Sequence, residues 1–403
     1  MTTPKTPRRR WLRRIAIAFV LALTALAVAM IAVERGRAVT AMGEVIPPDE
    51  GAYTAEIIAS AIESVNYPPA KGRPAPHQPY RRDVHAKAHG CVRAVVDVSK
   101  DLAPAFRQGV FAEPGKQYRA WIRFSSGNTW PQADSERDAR GFALKLMGVP
   151  GPKLLEPEET ADTQDFVFIN SPVFFIRNVQ EYARFTRILA DGSRLGYFFN
   201  QYSWNPLTWR IRDMMLALKT LKSAPDSLLH TRFFSLSAYK FGPDMNVKLS
   251  AAPCTRQPVA QVDRKDPNFL RAEMKAELAK DDACFELMVQ PQVPGKNMPV
   301  EDPTVEWSER DSPFVRVATV TVGKQEFDTE RQNTFCENLS FSPWHAVEAH
   351  RPLGGLNRIR KAVYLEDARY RRSKTMEGNS DPYLAQREPK GWCLDLTGAT
   401  CGG

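Results

Sequence analysis

The sequence contains little that would suit a thiol-bound metal or a nucleic acid. Its six cysteines are scattered over 403 residues and none forms a CxxC pair, so metal binding by thiolates is not expected. The formal charge of +9 is not gathered into a long basic stripe with interleaved aromatic residues, which argues against nucleic-acid binding. No internal repeat is visible. With 43% apolar and 25% charged residues, the chain can build a sizeable core, as one large domain or two.

One run near the N-terminus carries no charge. It reads IAIAFVLALTALAVAMIAV and covers residues 15–33, and arginines at 8, 9, 10, 13 and 14 precede it. The run is long enough to cross a bilayer as a helix. The charge asymmetry predicts a single-pass inner-membrane protein with residues 1–14 in the cytoplasm and the rest in the periplasm.

A cleaved signal peptide is the alternative for this run, with ALA and AVA near residues 25–29 as cleavage sites. The preceding RRRWLR also resembles a twin-arginine export signal. We favour the retained anchor because the apolar run is longer than an ordinary signal core.

The remaining sequence divides by composition into three parts. Residues 34–74 form a proline-rich spacer, residues 75–372 form the folded domain and residues 373–403 form a C-terminal tail. An even number of cysteines permits disulfides outside the cytoplasm. Cys393 and Cys401 could close a small loop in the tail, but the pairing cannot be read from the sequence.

Strand and helix patterns alternate in the folded domain. Short strand patterns occur at 91–98, 118–126, 140–148, 165–170, 284–293 and 314–322. The segment NVQEYARFTRILADG predicts a helix in which Asn178 is the N-cap and Glu181 completes a capping box. Further helical patterns occur at 208–222 and 268–280. Strands from distant parts of the chain, interrupted by helices, predict an α+β fold around a barrel or a sandwich.

The stretch RKAVYLEDARYRR, residues 360–372, raises a chemical possibility. If it is helical, Arg360 and Tyr364 share one face. A cation beside the phenol favours phenolate, which is an anionic oxygen ligand for ferric iron. The alternative is an amphipathic basic helix whose tyrosine only packs.

Three separated stretches resemble the haem catalases and their smaller peroxidase relatives, in the same order along the chain. They are RDVHAKAHG at 82–90; then IRFSSG, RDARGFALK and NSPVFFIRN; and finally RKAVYLEDARYRR. The resemblance covers roughly residues 75–372. It implies an antiparallel β-barrel with packed helices around a buried ferric haem b, within the α+β class and preceded by the transmembrane helix.

The resemblance also implies roles for individual residues around the iron. Tyr364 becomes the proximal metal ligand and Arg360 the cation that keeps it ionised. His85 becomes the distal imidazole that moves a proton between the two peroxide oxygens. Ser125 falls where the family has a serine bonded to that imidazole.

Further positions correspond to residues that hold the haem. Arg82, Arg123 and Arg371 fall where guanidiniums bind the propionates, and the Phe174 position lies over the haem pocket. By contrast, His89, His345 and His350 are interpreted as surface or structural residues, and Arg137 and Arg140 as members of structural ion pairs.

Two departures from the family pattern bear on the reaction. Ile169 stands where full catalases have the distal asparagine, and Asn170 stands at the second asparagine, within reach only if the strand shifts by one residue. Gly127 replaces a valine that narrows the channel, and we expect this change to widen the pocket. A wider and more apolar pocket suits an organic or lipid hydroperoxide.

The resemblance therefore implies a haem peroxidase that reduces hydrogen peroxide or organic hydroperoxides at the periplasmic face, with an unidentified small-molecule or protein donor. The alternatives are a catalase-like lipid hydroperoxide isomerase or lyase, a true catalase, and a membrane-tethered haem-binding module. The distal histidine argues against the last of these, because a haem store needs no proton shuttle.

Overall fold

The computed structural model describes residues 15–21, 24, 38–40, 42–66, 81–156, 158–190, 195–254 and 262–375. Residues 15–21 of the predicted anchor are helical, and most of its remainder lies outside the described residues. Within the described ranges, no helix combines the length and the apolar character needed to cross a membrane. Most of the spacer's proline-rich part and the tail cysteines also lie outside these ranges. The anchor thus stays a prediction.

The elements follow the order expected of an α+β chain. They are β1 (Ala38–Val39), β2 (Val45–Ile46), α1 (Glu50–Asn66), β3 (Ala88–Val98), β4 (Gln117–Ser126), β5 (Arg140–Met147), β6 (Thr163–Ile169), α2 (Val179–Ala190), α3 (Ile211–Thr220), β7 (Phe233–Phe234), β8 (Tyr239–Lys240), β9 (Asn246–Pro253), α4 (Phe269–Leu278), β10 (Ala283–Pro291), β11 (Val315–Val322), α5 (Glu330–Asn338) and α6 (Gly355–Thr375). Every strand and helix pattern named above falls on one of these elements.

The main sheet closes into an antiparallel barrel. Its strands run in the order β10, β11, β3, β4, β5, β6, β7, β9, and β9 also pairs with β10, so eight strands form a closed ring. Closure leaves no free edge in the ring. Phenylalanines fill the interior, and the ring centroid of Phe142 lies 5.2 Å from those of Phe124, Phe233 and Phe285. Of the two predicted architectures, a barrel and a sandwich, the structure has the barrel.

The helices pack outside this ring. Asn178 caps α2 as predicted, because its Oδ1 accepts from the Glu181 N–H at 2.9 Å. In a regular capping box the Glu181 carboxylate would accept from the backbone N–H of the N-cap residue, Asn178. Here it accepts from the N–H of the preceding residue, Arg177, at 3.3 Å. Helices α1, α2 and α6 share an apolar cluster that includes Ile57 and Ile359.

Two disulfides join elements that are distant in sequence. Cys91 on β3 bonds to Cys336 on α5, with Cα atoms 5.9 Å apart and a sequence separation of 245. Cys254, at the end of β9, bonds to Cys284 on β10, with Cα atoms 5.4 Å apart. These pairings had no signal in the cysteine spacing.

Candidate functional site

A cleft lies between the barrel wall and helix α6. Apolar residues of β5 and β6 form much of its wall, together with Leu236 and Phe341: Phe142, Ala143, Val167, Phe168 and Ile169. Charged and polar side chains lie at its ends. An apolar wall with a few polar groups is typical of ligand and cofactor pockets.

His85 enters the cleft from the segment before β3. Its Nδ1 lies 2.9 Å from the Ser125 Oγ on β4, which is the hydrogen bond that the sequence comparison implied. Burial, and then the positive charges of Arg123 and Arg360, lowers the pKa of the imidazole to about 3. The ring is therefore neutral near pH 7 and able to accept a proton. His85 has φ 58°, a conformation that is uncommon for a non-glycine residue and is often found at functional sites.

Gly141 on β5 leaves the space in which this imidazole sits. It pairs with Ser125 across β4 and β5. A Cβ at position 141 would lie 2.6 Å from the His85 Nδ1 and 2.7 Å from the Ser125 Oγ. The sequence interpretation missed this residue, although a glycine inside a strand often marks a close approach.

The three arginines predicted to hold propionates meet at one end of the cleft. Arg82 lies 3.0 Å and Arg123 lies 3.3 Å from the carboxylate of Glu337, and Arg371 donates to the Glu337 carbonyl at 3.1 Å. The neighbouring guanidiniums lower the pKa of Glu337 to about 2 against the opposing effect of burial. Glu337 offsets part of the positive charge of the three guanidiniums, and the remaining positive charge suits the carboxylates of an acidic ligand.

Tyr364 and Arg360 face the same cleft from α6. Burial raises the pKa of the Tyr364 phenol, and the Arg360 cation opposes that rise. Arg360 also donates to the Asn357 Oδ1 at 3.0 Å, which fixes its guanidinium on this helix. The helical spacing inferred from RKAVY is thus present, with the phenol and the cation in one cavity.

Two carboxyl groups in the cleft had no place in the sequence interpretation. Asp83 lies between the recognised positions Arg82 and His85, and Asp367 lies one turn after Tyr364. Burial and the charge of Asp83 raise the pKa of Asp367 to about 8, so this carboxyl is largely protonated at neutral pH. Its Oδ1 is buried and has no hydrogen-bond partner.

Two residues assigned to the site are not among those that line the cleft. The Asn170 Oδ1 accepts from the Arg140 backbone N–H at 2.7 Å, and Ile169 lines the cleft next to it. Phe174 is partly buried and packs against Phe175, with ring centroids 4.7 Å apart, and against the apolar cluster of Ala139, Ile169 and Leu236. The roles predicted for both residues stay predictions.

Gly127 is not among the residues that line the cavity. A Cβ at this position would meet the Ala139 carbonyl oxygen at 3.1 Å and the Asp138 Oδ1 at 3.2 Å. A missing side chain at 127 thus leaves space that neighbouring atoms already occupy. The apolar character of the cavity depends on Ile169 and its neighbours rather than on this glycine.

The remaining histidines singled out in the sequence are buried rather than exposed. His345 lies between Asp165 and Glu158, at 2.8 Å and 2.6 Å, and His350 accepts from the Val110 N–H at 3.0 Å. His89 bonds to Ser126 at 2.9 Å. The structural interpretation of these residues agrees with their contacts, and the surface interpretation is wrong.

Comparison with known proteins agrees with this geometry. The family model described as Catalase matches residues 78–377. Catalase A of Pseudomonas putida is 25% identical over an alignment of 292 residues, and the match covers 66% of this chain and 56% of that protein. A peroxisomal catalase of Toxoplasma gondii is 24% identical over 67% of this chain and 55% of that protein. The chain thus spans just over half the length of these relatives.

Solved structures give the same picture for the fold. A fungal catalase superposes with a TM-score of 0.58 and 20% identity, over 76% of this chain and 61% of that one. Catalase A from Saccharomyces cerevisiae gives a TM-score of 0.58 and 19% identity, over 78% of this chain and 66% of that one. The eight-stranded barrel with packed helices is a catalase-like fold. The chain belongs to the catalase family.

Family membership implies a haem cofactor, and the cleft fits that group. The walls are apolar, the phenol and its cation lie on one helix, and three guanidiniums are gathered at one end. The buried Nε of Arg123 has no hydrogen-bond partner, which leaves a donor for an acidic ligand. Arg82, Arg123 and Arg371 would hold the propionates, and Tyr364 would ligate the iron.

Proposed function

We propose that the chain is a haem-dependent peroxidase that reduces organic hydroperoxides, and hydrogen peroxide less efficiently, with an external electron donor. The observation that carries the proposal is that the neutral imidazole of His85 and the phenol of Tyr364 line one cavity, with Ile169 in its wall. Proton transfer, iron ligation and an apolar substrate surface are then available in a single site.

When bound, ferric haem supplies the metal centre that accepts oxidising equivalents from the peroxide. His85 would take a proton from one peroxide oxygen and return it to the other, so that the O–O bond would break without charge building up on the departing oxygen. Ser125 holds the ring at its Nδ1, which leaves Nε2 for this exchange. Arg360 favours the phenolate form of Tyr364.

The substrate preference follows from the cavity wall. A carboxamide beside the distal imidazole would hold peroxide or water, but Asn170 is bonded to the Arg140 backbone and Ile169 takes the place on the wall. Without that amide, hydrogen peroxide loses a positioning contact. An alkyl hydroperoxide gains contact with Ile169, Leu236 and Phe168.

A second candidate activity rests on the same wall. A lipid hydroperoxide isomerase or lyase would use the phenolate ligand and His85 without any reductant. We place either activity at the periplasmic face of the inner membrane, on the argument of the charge asymmetry around residues 15–33.

The test uses the haem-loaded full chain with three assays. Oxygen evolution from hydrogen peroxide, oxidation of a dye donor with cumene hydroperoxide, and product analysis with a fatty-acid hydroperoxide distinguish disproportionation, peroxidation and isomerisation. His85→Asn, which tolerates a positive φ, should lose about two to four orders of magnitude in peroxide cleavage while keeping its haem. An unchanged rate in this variant would contradict the proposed role of His85, and vigorous oxygen evolution by the parent would favour a true catalase.

A further inference from the structure

The structure has one concentrated region of exposed apolar side chains. Apart from those in residues 15–21, the strongly exposed large apolar residues in the described part of the chain all lie between residues 195 and 218. Trp204 is 97% exposed and Leu207 is 92% exposed. We call the set formed by Tyr202, Trp204, Leu207, Ile211, Met215 and Leu218 the apolar surface. Such a concentration marks an interaction site in a folded protein.

Helix α3 contributes half of this set through its spacing. Ile211, Met215 and Leu218 are separated by four and three residues, so they share one helical face, and each is exposed. The opposite face is buried and contains Asp213 and Ala217. The helix thus turns its larger apolar side chains away from the barrel, which is the reverse of the usual arrangement for a helix on a water-exposed surface.

The loop before α3 presents the tryptophan. Asn200, Gln201 and Tyr202 have φ of 47°, 54° and 63°, and three successive non-glycine residues in the left-handed region cost free energy. The Trp209 Nε1 donates to the Ser203 carbonyl at 2.8 Å, which holds the turn. This backbone conformation, which costs conformational free energy, leaves the side chains of Tyr202 and Trp204 exposed to solvent.

Three basic side chains lie on helix α3 or next to it. Arg137 donates to the Leu218 carbonyl at 3.0 Å, Arg212 donates to the Thr304 Oγ1 at 2.8 Å, and Lys222 donates to the Asn170 carbonyl at 2.9 Å. These three cations bond to neutral oxygens rather than to carboxylates. Exposed tryptophan and aliphatic side chains with a basic border are the chemistry of a helix lying in the interface of an anionic bilayer.

The position of the surface fits the same partner. The loop at residues 301–306 bonds to both neighbours: the Val45 N–H donates to the Glu301 Oε1 at 3.0 Å, and Arg212 reaches Thr304. Val45 follows the predicted anchor at 15–33 by a short stretch of chain. The start of the described domain and helix α3 therefore contact the same loop, at positions three residues apart.

The inner side of α3 is linked to the cleft. Leu221, at its C-terminal end, packs against Ile169 and Leu236, and both of these residues line the cavity. The apolar surface thus lies on the outside of an element that supports the cavity wall.

We propose that the apolar surface docks into the interface of a lipid bilayer that contains anionic lipids. Trp204 and Leu207 enter the acyl boundary, α3 lies along it, and Arg137, Arg212 and Lys222 contact the head groups. This contact is separate from the anchor and does not depend on the reaction that the cleft performs.

The experiment separates this contact from the anchor. The full chain, with a specific protease site in place of residues 34–37, is reconstituted into vesicles of phosphatidylcholine and phosphatidylglycerol and then cleaved. The released domain should remain with the vesicles on sedimentation. A variant with Trp204→Ser, Leu207→Ser and Met215→Ser should be lost to the supernatant, with binding weakened about tenfold for each side chain. The matched control with Trp204→Phe, Leu207→Met and Met215→Leu should remain bound.

Pure phosphatidylcholine vesicles and added salt should release the parent domain more readily, because the basic border then loses its partner. If the serine variant does not fold, brominated lipids give a second measurement on the parent, since their quenching of tryptophan fluorescence should fall in Trp204→Phe.

Two results would overturn the proposal. One is release of the parent domain as complete as that of the serine variant, without quenching by brominated lipids. The other is dimerisation of the parent domain in solution through this surface. In that case the serine variant would be monomeric, and the parent and the variant would be retained equally on vesicles. The surface would then bind a second copy of the chain.

Discussion

The Glu337 carboxylate lies 3.0 Å from the Arg82 guanidinium, at the end of the cleft where the propionates of a haem would be bound. The same carboxylate also neutralises part of the charge of Arg123. Glu337 therefore offsets part of the charge of the arginine group, and it supplies a counter-charge to these guanidiniums when no cofactor is bound.

Glu337→Gln should lower the free energy of unfolding of the haem-free protein by about 1–3 kcal/mol. The pKa of Glu337 is about 2 in the folded protein and about 4.5 without its partners. A depressed pKa stabilises the fold above the unfolded value, and this stabilisation is lost as the pH falls through the folded value. Urea unfolding should show the difference between parent and variant shrinking below about pH 4.5 and vanishing near pH 2. A difference that stays constant with pH would contradict the charge argument.

Tyr364→Phe should remove the iron ligand and most of the bound haem, while Tyr370→Phe on the same helix should keep it. Arg360→Met should leave the phenol present but harder to ionise, with haem affinity reduced by about 10–100-fold. The haem-to-protein ratio after reconstitution and gel filtration checks all three. Retention of haem with an unaltered visible spectrum in Tyr364→Phe would refute the ligand assignment.

Gly141→Ala should displace the imidazole, because the new Cβ would lie 2.6 Å from the His85 Nδ1. We expect peroxide turnover to fall about 100-fold and stability to fall by about 1–3 kcal/mol. Gly323→Ala is the matched control, since a Cβ there meets no atom within 4 Å. Stopped-flow measurement of peroxide turnover and thermal unfolding of both variants test this prediction. Equal turnover rates in the two variants would show that the His85 ring tolerates the added methyl group.

Ile169→Asn should place an amide in the cavity wall. The ratio of hydrogen peroxide disproportionation to organic hydroperoxide reduction should rise by about tenfold or more, at a stability cost of about 1–3 kcal/mol for a buried amide without full hydrogen bonding. Ile169→Val controls for the loss of volume. A ratio that moves equally in both variants would assign the preference to cavity size instead of to the missing amide.

The sequence predicted the local elements well because their signals are local. Strand alternation and the Asn178 cap depend on neighbouring residues, and the predicted cap hydrogen bond is present. The family pattern also brought together seven residues that line one cavity: Arg82, His85, Ser125, Arg123, Arg360, Tyr364 and Arg371. Their convergence is shown by the structure, whereas their chemical roles stay predictions.

The residues that were missed depend on contacts across the chain. Glu337 meets Arg82 over 255 residues, and nothing near position 337 indicates that partner. Gly127 was assigned to the channel from its place in a motif, but the direction of its missing side chain depends on Asp138 and Ala139, which only the folded backbone brings beside it. The disulfide partners and the closure of β9 on β10 are of the same kind.

The Cys91–Cys336 bond ties together two elements that the haem-facing charges also join. Cys91 pairs with Arg123 across β3 and β4, and Cys336 directly precedes Glu337, so the covalent bond and the Arg123–Glu337 ion pair connect the same places. A reducing environment would cut the covalent connection and leave α5 held by the ion pair, by hydrogen bonds such as that from Gln332 to the Cys91 carbonyl, and by packing of Phe335 on Trp121. The thiol redox state of the compartment in which the chain matures is therefore coupled, through α5, to the assembly of its cofactor-binding arginines.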